Sequence, residues 1–568
     1  MNSVSPAPMV TNQYKRTFLV LIFIWFLANL IQAFFMEVMS DEAYYGMYGK
    51  YLAWGYFDHP PMVALMVRIS SFFFSGNLGI RFMTVLLQVG TLILIWKTLS
   101  IEKPDSKSVV IFFIVAASIS LFSFYGVLTA PDAPLLFFTA LFLLAYKRFI
   151  KSPDWIVVVL LSVSMAGMIY SKYQAILVIG FTILSNLKLL RSFRFWLAGI
   201  SGLIILFPHF HWQITNNFPS LQYHLVDRTE GFKWTYLLEY FPNQLAVFNP
   251  LTLGAVLWIM IKNKPAGQFE KTLWWQIAGF MIFFFLIAFR GHVEPHWTIA
   301  CSIPIIIILA ERSSRDPVLY RYTRKFILPT LLIFAAVRLL VMTDIRFVRY
   351  LAFGGKQEKY EVLESEAGDL PVVFTGAFQR PALYTFFTGK QAVAVSSLYS
   401  RQTQYDIWQF EKKYHNKPAF ISSNPKGNSQ IYPSDSEQFG GFRTESLQTV
   451  NRMKINFDLN GKELHSGDSI NISFTLKNEY DFDIDFNHED FPVELCMVFI
   501  KGQKIEILDV FPSEEIEIIS AGETITGNIS ADIPVLDIGN YSFGLSLNNF
   551  FGPSFNSPFV RIKIMNDD

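Results

Sequence analysis

The residues best suited to chemistry stand in one short stretch, SDEAYYGMYGKYLAWGYFDHPP, residues 40–61. It holds Asp41 and Glu42, then Asp58 and His59 ahead of Pro60 and Pro61, and five tyrosines between them. Carboxylates there suit proton transfer, and a histidine beside an acid suits phosphate or metal binding. The plain alternative for Asp41 is a cap on a helix starting at Ala43, with Tyr44, Tyr48 and Tyr51 on one face at a membrane interface. From spacing alone, cap and catalytic base stand level. The proline pair fixes extended backbone ahead of it, so Asp58 and His59 aim at one point, or else mark a helix start. Further along, TAPDAP places Asp132 at the head of an apolar run, an N-cap position that also favours an anion nearby. YSKYQ sets Lys172 between two apolar runs. Arg228 follows in YHLVDR, and Arg290 precedes GHVEPHW, where His292, Glu294 and His296 alternate. Asp58, His59 and His296 are of the residue types that hold a divalent ion, although loop alternation is a weak sign of one.

These residues need elements that bring them together, and the composition says which. Of 568 residues, 52% are hydrophobic and only 16% charged, with 57 phenylalanines. An ordinary soluble domain carries about a quarter charged residues, so the chain is read as a polytopic membrane protein with a soluble part attached. A net charge of +1 argues against nucleic acid as a partner. Two cysteines, Cys301 and Cys496, supply no disulfide framework. Lys15 and Arg16 ahead of a long apolar run read as an uncleaved anchor helix.

Apolar runs fall near 17–36, 78–99, 109–127, 133–149, 155–171, 173–190, 195–213, 241–261, 273–290, 297–311 and 326–343. Each is near membrane-crossing length, which predicts about eleven helices. Basic clusters follow every second run: Lys15/Arg16, Lys103/Lys107, Lys147/Arg148/Lys151, Lys188/Arg191/Arg194, Lys262/Lys264/Lys271 and Arg312 to Lys325. The positive-inside rule puts them in the cytoplasm. The connections at 37–77, 128–132, 171–172, 214–240 and 291–296, and the chain beyond 344, then face outward. Every unusual polar residue named above lies on that outer side. A snorkelling side chain is the usual explanation for a lysine such as Lys172, but Lys172, Arg228 and Arg290 are cations where the rule disfavours them, which makes them candidates for binding an anion such as a phosphate.

The organisation expected is a membrane domain over 1–343, a small α/β domain over 344–445 and a β-sandwich, immunoglobulin-like, over 446–568. PVVFTG, AVAVS and KPAFIS suggest the α/β part. Alternating segments at 470–476, 493–500, 515–519, 523–529, 541–547 and 559–564 suggest the sandwich.

Taken in order, DEAYY, GYFDHPPM, TAPDAPLLFF, YSKYQAIL, the Arg228 loop and VEPHW resemble the polytopic glycosyltransferases of the GT-C fold. The resemblance is nearest to the bacterial branch related to protein O-mannosyltransferases and aminoarabinose (lipid A) transferases, and covers about residues 10–340. It implies a polyprenyl-phosphate sugar donor and an extracytoplasmic lipid, glycan or protein acceptor. It further implies a multi-pass protein of the bacterial inner membrane with its site facing the periplasm. It makes Asp41 the catalytic or base-positioning carboxylate, with Asp132 as second acid and Glu42 beside them. Lys172, Arg228, His59 and Arg290 would hold the donor phosphate. The family often carries an acidic–basic pair such as Glu-Lys before the double proline; this chain has Asp58-His59. Metal dependence varies across the fold, so no cofactor is assigned. A flippase of lipid-linked sugars would show an internal repeat or polar groups on both faces, and the sequence shows neither. A non-catalytic envelope assembly protein is suggested only by the β-rich end.

Overall fold

The computed structural model describes residues 10–223, 231–343, 356–423, 430–433, 438–459, 463–502 and 504–565. The chain divides into two units, Met1–Phe353 and Gly354–Asp568.

The first unit is helical. Its elements are α1 (Val10–Phe35), α2 (Ser40–Lys50), α3 (Met62–Phe73), α4 (Gly76–Thr98), α5 (Ser106–Ser118), α6 (Ser120–Phe124), α7 (Asp132–Phe149), α8 (Trp155–Ser171), α9 (Ala175–Ser185), α10 (Phe193–Thr215), α11 (Pro219–Gln222), α12 (Trp234–Phe248), α13 (Pro250–Lys262), α14 (Gln268–Ile287), α15 (Ser302–Arg315), α16 (Pro317–Tyr322) and α17 (Leu328–Met342). Among the described residues, six helical stretches are long and apolar enough to cross a membrane, or seven if α12 and α13 count as one span bent by 98°. Eleven were expected. Several of the apolar runs are shorter helices, or helices broken by a turn, such as α5 and α6 on either side of Ile119. The bend at Asn249 has a local cause. Asn249 takes a positive φ, its side chain caps Leu251 N at 3.1 Å, and Pro250 begins the new helix. Large apolar side chains face outward along these helices: Phe23, Phe72, Ile204, Phe207, Ile261 and Leu332 are all exposed. In water that would be costly; against lipid it is the expected surface.

The two ends of the bundle differ in chemistry. At one end, Lys147 donates to Thr98 O and Ser100 Oγ, Arg315 to Ser100 O, and Arg312 to Glu270 at 2.7 Å. These residues belong to the basic clusters assigned to the cytoplasm. Asp132 opens α7 and Lys147 closes it, so the two are ~23 Å apart along the axis. Helices α7 and α8 pack closely and antiparallel; a Cβ at Gly167 would come within 2.4 Å of the Phe138 ring. Their similar lengths bring Asp132 and Lys172 to one level at the far end.

The second unit contains a five-stranded sheet ordered β2-β1-β3-β5-β4, with β1 (Val372–Thr375), β2 (Ala392–Val395), β3 (Ala419–Ser423), β4 (Gln430–Pro433) and β5 (Gln438–Thr444). The first three strands are parallel; β4 and β5 are antiparallel. A strand-rich region follows: β6 (Met453–Asp458), β7 (Glu463–His465), β8 (Ser469–Asn478), β9 (Ile484–Asp485), β10 (Glu494–Lys501), β11 (Lys504–Asp509), β12 (Ile518–Ile519), β13 (Thr524–Asp532), β14 (Gly539–Asn548) and β15 (Val560–Met565). One sheet runs β11-β10-β14-β15-β7 and another β13-β8-β6. Alternate residues Ile472, Phe474 and Leu476 of β8 meet Leu495, Met497 and Phe499 of β10 and Phe543, Leu545 and Leu547 of β14 in one apolar core.

Candidate active site

The helix after the first span starts at Ser40, three residues earlier than expected, and this changes what Asp41 and Glu42 do. Glu42 Oε2 accepts the Met39 N–H at 3.1 Å, so Glu42 is the residue that reaches back to cap α2. Asp41 is relieved of that task and is exposed. Glu42 is fully buried. Its carboxylate takes Arg81 Nε at 2.8 Å, a second guanidinium N–H of Arg81, and Thr129 N at 2.9 Å. Arg81 is itself fully buried and donates to Ala33 O at 3.2 Å, to Met36 O, and to Glu37 O at 2.8 Å. These are carbonyls at and beyond the end of α1, where a cation also favours the helix dipole. Arg81 thus ties α1, α2, α4 and the 125–131 linker into one joint. Sequence reasoning missed it; the available signal was an arginine within an apolar span.

The tyrosines expected in an interfacial belt are inside. Tyr44 and Tyr48 are buried, and the Tyr48 ring stacks on Tyr56 at 3.8 Å. Tyr56 Oη donates to Tyr48 O at 3.0 Å and accepts Ala53 N–H at 3.0 Å. Tyr48 Oη donates to Asp58 Oδ1 at 2.6 Å, and Tyr45 Oη pairs with His59 Nε2 at 3.2 Å. The aromatic rings therefore hold the 51–61 loop, with Asp58 buried within it. The loop is pressed onto α10: a Cβ at Gly55 would lie 2.3 Å from the Trp212 ring. His209 Nδ1 meets Trp54 O at 2.7 Å, which makes it the protonated nitrogen, leaving Nε2 to accept from Tyr173 Oη at 3.1 Å.

Asp132 is not a side-chain cap. It lies in the first turn of α7 and accepts Lys172 Nζ at 2.8 Å in a buried ion pair. Asp41, Asp58 and Asp132 gather around the Tyr45 hydroxyl, whose pKa is raised well above its ordinary value by burial first and then by these three charges. Burial, Asp132, Asp41 and Glu294 likewise raise that of Tyr125. The structure thus brings the acids of three separate sequence motifs to one place.

Beside them is a cavity of about 370 Å³. Its polar lining includes His59, Lys172, Gln174, Arg290, His292 and His296; its apolar wall includes Phe284, Ile287 and Trp297. His292 stands 3.8 Å from both Glu239 and Glu294. Arg228 lies outside the described residues. Among the described residues no three His, Cys, Asp or Glu side chains are grouped to hold a metal ion. Asp58, His59 and His296 are accordingly not assembled as a ligand set; Asp58 is turned to Tyr48 instead.

Residues 58–212 match the family described as dolichyl-phosphate-mannose-protein mannosyltransferase. A search of curated proteins by sequence finds no match. Among solved structures, ArnT from Cupriavidus metallidurans bound to undecaprenyl phosphate is similar at a TM-score of 0.55 and 12% identity, over 75% of this chain and 97% of that one. The same protein in its apo state matches at 0.53 and 13%, with the same coverage. The chain has a PMT/ArnT-like GT-C fold. Within this GT-C fold, the matched family segment takes in Asp58, His59, Arg81, Asp132 and Lys172, while Asp41 lies ahead of it.

Proposed function

We propose that this chain is a membrane glycosyltransferase. It moves a sugar from a polyprenyl-phosphate donor to an acceptor hydroxyl at the outer face of a bacterial inner membrane. The observation that carries the reading is the juxtaposition of an exposed Asp41, beside the two other acids Asp58 and Asp132, with a half-apolar cavity bearing Lys172, Arg290 and His59. A lipid phosphate needs such a place, with apolar walls for its chain and cations for its head. The neighbour's undecaprenyl phosphate is of that chemical kind.

In this mechanism the acceptor oxygen attacks the anomeric carbon as the bond from that carbon to the phosphate oxygen breaks. Asp41 takes the acceptor's proton, and the polyprenyl phosphate leaves with the bonding electron pair. The new bond forms on the opposite face, so the anomeric centre inverts. Lys172 is held in place by Asp132 and, with Arg290 and His59, meets the phosphate charge in a partly dry cleft, where such contacts are strong. Asp58 holds the loop that aims His59. Glu42, engaged with Arg81 and with the N–H groups of Met39 and Thr129, shapes the site rather than exchanging protons.

The test is Asp41→Asn in purified protein, with release of polyprenyl phosphate as the readout. Because Asp41 is exposed, the variant should fold as wild type and lose transfer by ~10²–10⁴-fold. A rate within twofold of wild type would remove Asp41 as the base.

A further inference from the structure

A second cavity, of about 150 Å³, lies within the C-terminal unit. It is bounded by the end of β2, by the short helix Gln404–Trp408 with the turn Phe410–Tyr414 after it, and by the start of β6. Where one water needs ~10–15 Å³, this is room for one ring-sized polar molecule, not for a chain. Its lining is dominated by hydrogen-bonding groups, among them Asp406, Gln409, Glu411, Asn451 and Arg452, over an apolar patch that includes Phe555.

One of these groups is left wanting a donor, and a second is a buried acid. Asn451 donates from Nδ2 to Ser396 O at 2.7 Å, but its Oδ1 is buried with no donor. Glu411 is 7% exposed, and burial holds its carboxyl above the usual carboxylate range, with its own backbone N–H and the Arg452 charge opposing. An unmet buried acceptor costs about 1–3 kcal/mol, so the Asn451 oxygen argues for a ligand that donates to it. Arg452 gives one N–H to Gln409 Oε1 and keeps others for an acceptor. The charges nearly balance, with Asp406, Glu411 and Glu479 against Arg452 and Lys454. A phosphate or polyanion would find no net attraction in such a balance. An apolar ligand would leave every polar wall unsatisfied.

We propose that this cavity binds a single carbohydrate unit. Its hydroxyls donate to Glu411 and Asn451 and accept from Arg452, and a C–H face rests on Phe555. Hydroxyl-rich rings fit because each hydroxyl is both donor and acceptor, as a wall of mixed acids, amides and cations requires. The inference goes beyond the transferase reading and does not depend on it, since no residue of the membrane unit enters it.

The experiment is saturation-transfer NMR on the full-length chain in detergent, with glucose, galactose, mannose and N-acetylglucosamine as separate millimolar probes. At least one should receive saturation, strongest at ring C–H protons, with binding weakened at least tenfold in Asn451→Ala and in Glu411→Gln. Asp41→Asn should leave binding unchanged, which keeps this site distinct from the membrane one. Gln409→Ala, on the same wall, serves if either cavity variant fails to fold. No saturation of any of the four sugars overturns the proposal. So does binding that is equal in the cavity variants, or binding of inorganic phosphate in their place.

Discussion

Replacing Arg81 with methionine tests whether Glu42 is scaffold or reactant. The substitution keeps most of the side-chain volume and removes the charge. Glu42 would retain only the N–H groups of Met39 and Thr129, and would be left as a fully buried, unpaired carboxylate. The carbonyls of Ala33, Met36 and Glu37 would lose their donor at the same time. Breaking one side of a buried ion pair costs about 3–5 kcal/mol, chiefly through the stranded charge. With an unfolding entropy of ~2.1 cal/mol/K per residue across the membrane unit, that is a fall of ~4–7 °C in its melting midpoint. The double variant Glu42→Gln/Arg81→Met removes the stranded charge and should recover at least ~2 kcal/mol of the loss, the coupling expected of contacting residues. Thermal melting in detergent reads the stability, and release of polyprenyl phosphate reads the activity. The double variant should keep measurable transfer, above that of Asp41→Asn. A single Arg81→Met variant melting within 1 °C of wild type would refute the joint. A stable double variant with no more activity than Asp41→Asn would refute the scaffold role.

Lys172→Met should destabilise by about 3–5 kcal/mol because it strands buried Asp132; the double variant with Asp132→Asn should recover stability while the donor KM stays at least tenfold raised, and a donor KM equal to wild type would separate Lys172 from the phosphate. In the C-terminal unit two buried groups give opposite pH slopes. Burial, with Asp406 adding and Arg452 and Lys412 opposing, pushes Glu411 up to about 7, so its stabilisation is complete below the ordinary carboxylate range and is lost as pH rises through about 7. Burial, with His488 adding and Asp481 and the Asp483 backbone opposing, pushes His415 down to about 4, so its stabilisation is present above about 6.5 and is lost as pH falls through about 4. Each contributes about 1.4 kcal/mol per pH unit within its window, and Asp406, also raised by burial, acts in the same sense as Glu411. Pulse proteolysis of the full chain, read on the C-terminal unit from pH 4.5 to 6.5, should show stability climbing more steeply with pH in Glu411→Gln than in wild type, and less steeply in His415→Gln. Unchanged slopes in both variants would sink the assignment.

Much of the site was legible because the chemistry of its residues is out of place in a membrane chain. Asp132 and Lys172 stood out as charges at the ends of apolar runs, and the alternation of basic loops set them at one level before any contact was known. The parallel strands β1 to β3 and the longer strands β8, β10 and β14 were likewise visible, because alternation reports a half-buried face directly. The α2 start was not. Whether Asp41 or Glu42 turns back to cap a helix depends on a register offset of a few residues, and boundaries carry that much slack. Arg81 was hidden because its partners come from α1 and α2, and no local pattern records a contact 39 residues away.

The expected eleven spans show a further limit, and its cause bears on function. An apolar run reports that a segment avoids water; it does not report whether lipid or protein covers it. Buried apolar windows and lipid-facing ones read alike: the stretch from Pro295 to Arg315 is 78% buried within the protein, whereas that from Pro317 to Met342 is 6% buried. Helices stop short, or break, where their backbone groups find partners other than the next turn. In a membrane that is tolerated only against protein or a wet cavity. The interruptions seen here keep to that rule. The break after α5 and α6 leads into the linker whose Thr129 N–H closes on Glu42, and the step from α8 to α9 places Lys172 on the cavity wall. The irregular backbone and the unusual charges therefore have one physical origin. For the transferase proposed here, a site that meets both a lipid tail and a sugar needs donors and acceptors at the depth where an uninterrupted span would offer none.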